Sequence, residues 1–141
     1  MISGGFDPLH HGHVKYIQHA KKLGSKLHVL VMSNNFLLRK KGYFAIDENE
    51  RLDIILSING VDRAEIWDND FVDDAIRKIK PNVFANGGDR SFIENLAKCE
   101  LEACYENDVV VALGVGGYAK TNSSSSIMRK IYENRIINTG P

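Results

Sequence analysis

Residues 2–13 read Ile2-Ser3-Gly4-Gly5-Phe6-Asp7-Pro8-Leu9-His10-His11-Gly12-His13, and Val14, Ile17, Ala20 and Leu23 follow at helical spacing. A short apolar run that ends in glycines and passes into a helical pattern is a strand-to-helix turn. Three of the five histidines in the chain fall in the last four positions of that turn. Gly24 is a natural helix stop, and Leu27-His28-Val29-Leu30-Val31-Met32 is a second apolar run of strand length. A strand, a helix and a strand in this order place the two strands parallel in one sheet, joined by a right-handed crossover.

The alternation continues along the chain. Residues 34–44 have no clear period and carry Arg39, Lys40 and Lys41. Asp47, with Glu50 three residues on, opens a helix whose inner face is Leu52, Ile55 and Leu56. Ala64–Trp67 is a third strand. Asp70 starts a helix with Val72, Ala75, Ile76 and Ile79 inward, and Pro81 closes it. Val83–Ala85 is a fourth strand. Ser91 and Glu94 cap a helix carrying Ile93, Ala97, Leu101 and Cys104, and Val109–Leu113 is the fifth strand. The last helix runs from Ser124 through Ile127, Ile131 and Tyr132. The strands are short and mostly apolar, as in a parallel sheet covered on both faces. The pattern predicts an α/β fold: a single doubly wound domain over residues 1–141 with a five-stranded parallel sheet. Such folds bind ligands at the carboxyl ends of the strands, so the loops after strands one, two, four and five carry the functional question.

Composition narrows the classes. Hydrophobic residues make up 43% of 141, enough for one core. The 18 basic and 18 acidic residues cancel, which argues against a nucleic-acid partner held by bulk charge. No apolar run approaches the roughly 20 residues of a membrane span, and no basic, apolar leader is visible, so the expected location is cytoplasmic. Cys99 and Cys104 match no zinc spacing and read as free thiols.

The first loop places His13 in the first turn of a helix, where backbone N–H groups attract phosphate. Imidazoles there donate to phosphate oxygens, Gly4 and Gly5 admit a ligand close to the backbone, and Gly12 leaves room between two rings. A metal site is the rival reading, but His10 and His13 would need further ligands and the obvious carboxylate is Asp7 alone. Opposite a phosphate site, Arg39-Lys40-Lys41-Gly42 becomes a mobile basic flap rather than a solvated loop. Asn86-Gly87-Gly88-Asp89-Arg90 would let a flat base lie against backbone. Ser123-Ser124-Ser125-Ser126 runs straight into a helical pattern, so it reads as a helix cap and a second phosphate cradle rather than a linker. Gly114-Val115-Gly116-Gly117 follows the fifth strand and lacks dinucleotide-fingerprint spacing.

Together and in this order, the four loops resemble the nucleotidyltransferase superfamily with the His-x-Gly-His signature, in its cytidylyltransferase-like branch. Gly4-Gly5-Phe6-Asp7 resembles the branch's Gly-Thr-Phe-Asp, His10-His11-Gly12-His13 its signature, and Ser123–Ser126 its Ser-Thr-Thr run. Lys41-Gly42, Glu50-Arg51, Gly87-Gly88-Asp89 and Ile127–Ile131 look most like the adenylyltransferase domain that activates glycero-manno-heptose 1-phosphate for lipopolysaccharide core biosynthesis. The resemblance implies transfer of a nucleoside monophosphate, AMP from ATP, to the phosphate of a small acceptor such as heptose 1-phosphate. It implies that His10, His13 and Lys41 are catalytic. It assigns nucleotide binding to Gly5, Phe6, Asp7, Lys40, Gly87, Gly88, Asp89, Arg90, Ser123, Ser124 and Ser125. It implies Mg²⁺ carried by the triphosphate, no dedicated metal ligands, and a homodimer. Gly5 departs from the branch's threonine, and Lys120-Thr121 stands where glycerol phosphate cytidylyltransferases have Arg-Thr.

No nucleophile–base pair is visible, and an acceptor phosphate already ionised at neutral pH needs none. A kinase or GTPase would need a Gly-x-x-x-x-Gly-Lys-Ser/Thr loop, which is missing from the sequence. The rivals are a glycerol 3-phosphate cytidylyltransferase, an FAD synthetase acting on FMN, a non-catalytic nucleotide-binding module and an interacting flavodoxin-like domain. Asp47, Asp70 and Ser91 read as caps, Arg51 as structural, and His19 and His28 as ordinary helix and strand residues. Tyr118 either lines the acceptor site or covers the loop.

Overall fold

The computed structural model describes residues 1–88, 90, 92–117 and 123–133. Its elements, in chain order, are β1 (Ile2–Gly4), α1 (His11–Lys21), β2 (His28–Met32), α2 (Asn34–Lys41), α3 (Glu48–Leu56), β3 (Arg63–Trp67), α4 (Asp73–Ile79) and β4 (Val83–Gly87). A 3₁₀ turn (Ile93–Asn95), α5 (Lys98–Glu106), β5 (Val110–Val115) and α6 (Ser124–Glu133) complete it. Every strand pairing is parallel. β1, β2 and β3 form one ladder, and β4 and β5 form another. The amide of Ala85 donates to the Met1 carbonyl at 3.0 Å and sets the two ladders edge to edge. The spatial order is therefore β3-β2-β1-β4-β5, the expected five strands with the chain reversing direction of travel between β1 and β4. That reversal is the switch point at which such sheets leave a crevice.

The strand period sorts the core into two layers. Val29 and Val31 face one side, with Ile17 and Ala20 of α1 and Ile55 of α3. Leu30 and Met32 face the other, with Ala75 and Ile76 of α4 and Ala103 and Cys104 of α5. All of these side chains are buried, which is why β2 reads as an unbroken apolar run.

Three sequence expectations change. Residues 34–44 contain a helix, α2. Only Leu37 among its residues is buried, so no apolar stripe reveals it. It is held instead at its ends: the Ser33 hydroxyl accepts from the Phe36 amide at 2.9 Å, and Gly42, at φ 81°, makes the left-handed stop that glycine favours. The helix expected from Asp70 begins at Asp73, because Asp70 lies in the preceding loop with its carboxylate accepting from Arg39 Nε at 2.9 Å. The helix expected from Ser91 is interrupted. Leu96 and Ala97 have extended backbone, ψ 146° and 142°, so a 3₁₀ turn precedes α5 and Ile93 is exposed rather than inward. Ser91 itself lies outside the described residues.

Candidate active site

The loop from β1 to α1 is built by its own histidines. His10 is the N-cap of α1. Its Nδ1 accepts from the Gly12 amide at 3.1 Å, while the His10 amide donates to His13 Nδ1 at 3.2 Å. This is a capping box made from two imidazoles where Ser and Glu would usually serve. The rings stack with centroids 3.9 Å apart, and His13 stands edge-on to Phe6 at 5.2 Å. An Nδ1 that accepts a backbone N–H carries no proton, so each neutral ring carries its proton on Nε2. The amides expected to greet phosphate are engaged: that of Gly12 by His10 Nδ1, those of His13 and Val14 by the His10 carbonyl. Nε2–H is therefore the donor of each neutral ring. Gly4 is required by the turn, because a Cβ there would lie 2.9 Å from the Phe6 ring.

Asp7 is buried, and its two carboxylate oxygens accept from the amides of Ala45 and Ile46, each at 2.8 Å. It straps the segment after α2 to the β1 loop. Lys41 Nζ donates to the Asp7 carbonyl at 3.0 Å, lies 3.6 Å from its carboxylate and sits 4.9 Å from the centre of the Tyr43 ring. Lys40 covers the Phe36 ring at 5.5 Å, and Arg39 turns away to Asp68 and Asp70. The basic residues thus stand on the last turn of α2, not on a free flap, and the chain after them is tied down.

Arg51 is fully buried. Its Nε donates to the Ile46 carbonyl (2.8 Å), Nη1 to those of Gly5 (2.7 Å) and Met32, and Nη2 to Asn34 Oδ1 (2.9 Å). Burial lowers its pKa, against the opposing pull of Asp7. The far end of the site is α6. Ser123 and Ser126 cap it reciprocally, each amide donating to the other's hydroxyl at 3.0 Å, and the Ser124 hydroxyl donates to the Pro8 carbonyl at 3.0 Å. Two helix N-termini and their hydroxyls and imidazoles are thereby pinned together.

Asp7, His10, His13, Lys40, Lys41, Ser123 and Ser124 line one cleft of 410 Å³ at the carboxyl ends of β1, β4 and β5, within the range of roughly 300–1,000 Å³ typical of small-molecule sites. A larger hollow of 560 Å³ lies at the opposite strand ends, between Lys26, His28, Asp62 and Asn82, and contains none of the motif residues.

The cytidylyltransferase-like family model matches residues 1–131. The chain belongs to this family of nucleotidyltransferases. It is 34% identical over 134 residues to the FAD synthase of Thermoplasma acidophilum, covering 94% of this chain and 93% of that one. With the FAD synthase of Methanolacinia petrolearia it shares 33% over 134 residues, covering 93% and 88%. The crystal structure of the lipopolysaccharide core biosynthesis protein from Thermoplasma volcanium superposes with a TM-score of 0.69 at 29% identity, over 86% of this chain and 96% of that one.

In this cytidylyltransferase-like chain the cleft gathers Gly5, Phe6, Asp7, His10, His13, Lys40, Lys41, Gly87, Gly88, Arg90, Ser123, Ser124 and Ser125. Asp89, Tyr118 and Lys120 lie outside the described residues. Gly87 is the last residue of β4 rather than part of a loop. Arg51, read as structural, is absent from the lining and acts as a tie. Sequence reasoning missed Tyr16, which lines the cleft and whose hydroxyl donates to the Ala85 carbonyl at 2.7 Å, and Glu100, which is buried on α5 and also lines it. Glu100 left a signal. It shares the inward stripe of Ala97, Ala103 and Cys104, where a carboxylate is out of place.

Proposed function

We propose that the protein is an FMN adenylyltransferase: it transfers AMP from ATP to the terminal phosphate of FMN, forms FAD and releases pyrophosphate. The FAD synthases to which it is similar over most of their length support the acceptor. The observation that carries the chemistry is the histidine capping box. Two imidazoles whose Nδ1 atoms are engaged by backbone amides, and whose neutral rings therefore donate through Nε2, line one cleft with Lys40, Lys41 and Ser124.

An oxygen of the acceptor phosphate attacks the α-phosphorus of ATP, the new P–O bond forms, and the bond from the α-phosphorus to the bridging oxygen breaks. The acceptor is already an anion, so no proton has to be removed. His10 and His13 donate to phosphate oxygens as charge gathers there, Lys41 and Lys40 neutralise the polyphosphate, and Ser124 and Ser125 hold phosphate at the start of α6. The backbone of Gly5 and Phe6 approaches the phosphates, and the strand end at Gly87 and Gly88 borders the base. Catalysis is then positioning and preorganised charge stabilisation. Mg²⁺ arrives on the triphosphate. Among the described residues no group of three or more His, Cys, Asp or Glu side chains gathers to hold a metal, and both oxygens of Asp7 are engaged by amides.

The second reading is a sugar-phosphate adenylyltransferase, favoured by the likeness to the lipopolysaccharide core biosynthesis protein. The test incubates the protein and Mg²⁺ with ATP, CTP, GTP or UTP against FMN, heptose 1-phosphate and glycerol 3-phosphate, reading pyrophosphate release. ATP with FMN is expected to turn over, and His13→Ala to lose roughly 10²–10³-fold in kcat. Turnover of a sugar phosphate alone selects the second reading, CTP with glycerol 3-phosphate selects cytidylyl transfer, and triphosphate binding without release from any pair leaves a binding module.

A further inference from the structure

Glu100 is the anomaly of the cleft. It is 4% exposed, its Oε1 accepts from the Val72 amide at 3.2 Å, and its buried Oε2 has no hydrogen-bond partner among the described residues. A buried carboxylate oxygen without a donor is costly, so its place beside the cleft calls for an explanation. Its nearest cation is Arg90, with Nη1 3.6 Å from Oε2 and 3.4 Å from Asn86 Oδ1. Nη1 is thus anchored at the limit of hydrogen-bond range. Among the described residues no polar group engages Nε or Nη2 of Arg90, although the side chain lines the cleft and is 38% exposed.

The position of this pair matters. His10, His13 and Ser124 stand at the starts of α1 and α6, on one side of the cleft. Glu100 and Arg90 share the other side with Met32, Phe36 and Val72, the layer of α4 and α5. If phosphate chemistry occupies the first side, an acceptor whose phosphate reaches the histidines extends its body along the second. That side offers an apolar wall and, beyond it, a guanidinium fork with an unused edge. A fork of this kind matches paired acceptor atoms on a planar ring.

We propose that Arg90, seated on the buried carboxyl group of Glu100, recognises the ring end of the acceptor. The class of ligand is a flat, largely apolar heteroaromatic ring with carbonyl oxygens at one end. Glu100 is a positioning residue that works through Arg90. The 3.6 Å separation closes to a hydrogen bond when the ring carbonyls draw the fork into register. This rests on the flavin acceptor proposed above, and it assigns Arg90 to the acceptor instead of the nucleotide.

The test measures two affinities in the full chain: FMN by quenching of flavin fluorescence, and α,β-methylene ATP by calorimetry. The proteins are wild type, Arg90→Ala, Glu100→Gln and the double variant. Glu100→Gln keeps the volume and an oxygen for the Val72 amide, and equal melting temperatures verify its fold. Both single variants are expected to bind FMN at least tenfold more weakly and the ATP analogue within twofold of wild type. The double variant should be no weaker than Arg90→Ala, because Glu100 acts through Arg90. Loss of analogue affinity in place of FMN affinity, wild-type behaviour of Glu100→Gln, or losses that multiply in the double variant would each overturn the assignment. A wild type that binds the analogue but not FMN refutes the flavin reading itself. A wild type that forms FAD, with variants that bind FMN normally, refutes only the role of this pair.

Discussion

Replacing Arg51 by methionine tests whether the cleft stands on a buried tie or whether that arginine takes part in chemistry. The side chain satisfies four acceptors, the carbonyls of Gly5, Met32 and Ile46 and the side-chain oxygen of Asn34, with one guanidinium. Those acceptors belong to the end of β1, the end of β2, the strap before α3 and the start of α2. Methionine fills much of the volume and donates nothing. The bond to Met32 is the fully buried one; its loss orphans an acceptor, at about 1–3 kcal/mol. The other three lie nearer solvent, and partial rehydration limits each loss to about 0.5–1 kcal/mol. The total is about 2.5–6 kcal/mol, with a small offset from the buried methionine. For 141 residues unfolding near about 2.1 cal/mol/K per residue, the melting temperature falls by about 8–20 °C. Lysine in place of methionine should recover only part of this, since an ammonium cannot reproduce the planar fork. The assay is thermal unfolding by circular dichroism, paired with kcat and KM measured well below the transition. A stability within about 1 kcal/mol of wild type, accompanied by a large fall in kcat, would refute the reasoning. It would mean that the guanidinium meets substrate and that its four bonds are incidental.

His10→Asn separates capping from chemistry, because asparagine can still cap the Gly12 amide but offers no Nε2–H. The melting temperature should move by only a few degrees, while kcat falls by about 10²-fold, read by pyrophosphate release. Cys104, whose pKa burial pushes up from 9.0 to about 11, should resist iodoacetamide in the native protein at pH 8, where only about one molecule in a thousand carries the thiolate. The folded state holds this proton more tightly than the unfolded chain does, so its contribution to stability is complete below pH 9 and is lost as pH rises through 11. Peptide mass spectrometry and alkaline denaturation curves of wild type against Cys104→Ala check both statements.

The fold was legible where the signal was apolar and periodic. β2 and α1 announce themselves because both must bury a face, and one strand–helix–strand unit then dictates parallel pairing. What stayed hidden was structure held by polar groups. α2 has a single buried side chain and survives on the Ser33 hydroxyl, Gly42 and the Asp68 contacts; no period records such ties. α5 was drawn too long because Ile93 and Ala97 fit the helical spacing, whereas the extended backbone at Leu96 and Ala97 breaks it. Within the site, the described residues named from sequence line one cleft because they share one sheet edge. The wiring between them was not readable. Nothing in the letters His-His-Gly-His says that the rings cap their own helix, or that Asp7 holds the strap at Ala45 and Ile46.

That wiring bears on why the chemistry needs no base. An imidazole poised as a general base needs a free lone pair toward the substrate. Here the lone pair of each Nδ1 faces a backbone amide, so each neutral ring presents its proton, not its lone pair, through Nε2. The same bonds hold the rings stacked, with centroids 3.9 Å apart and planes 29° from parallel. The Gly12 amide of the first turn fixes one ring and the N-cap amide of His10 fixes the other. A cleft organised this way stabilises charge that forms between two phosphates and gives no help to a substrate that must first lose a proton. On the adenylyl transfer proposed above, such a cleft would favour phosphorylated acceptors over alcohols at the chemical step, whichever body the acceptor phosphate carries.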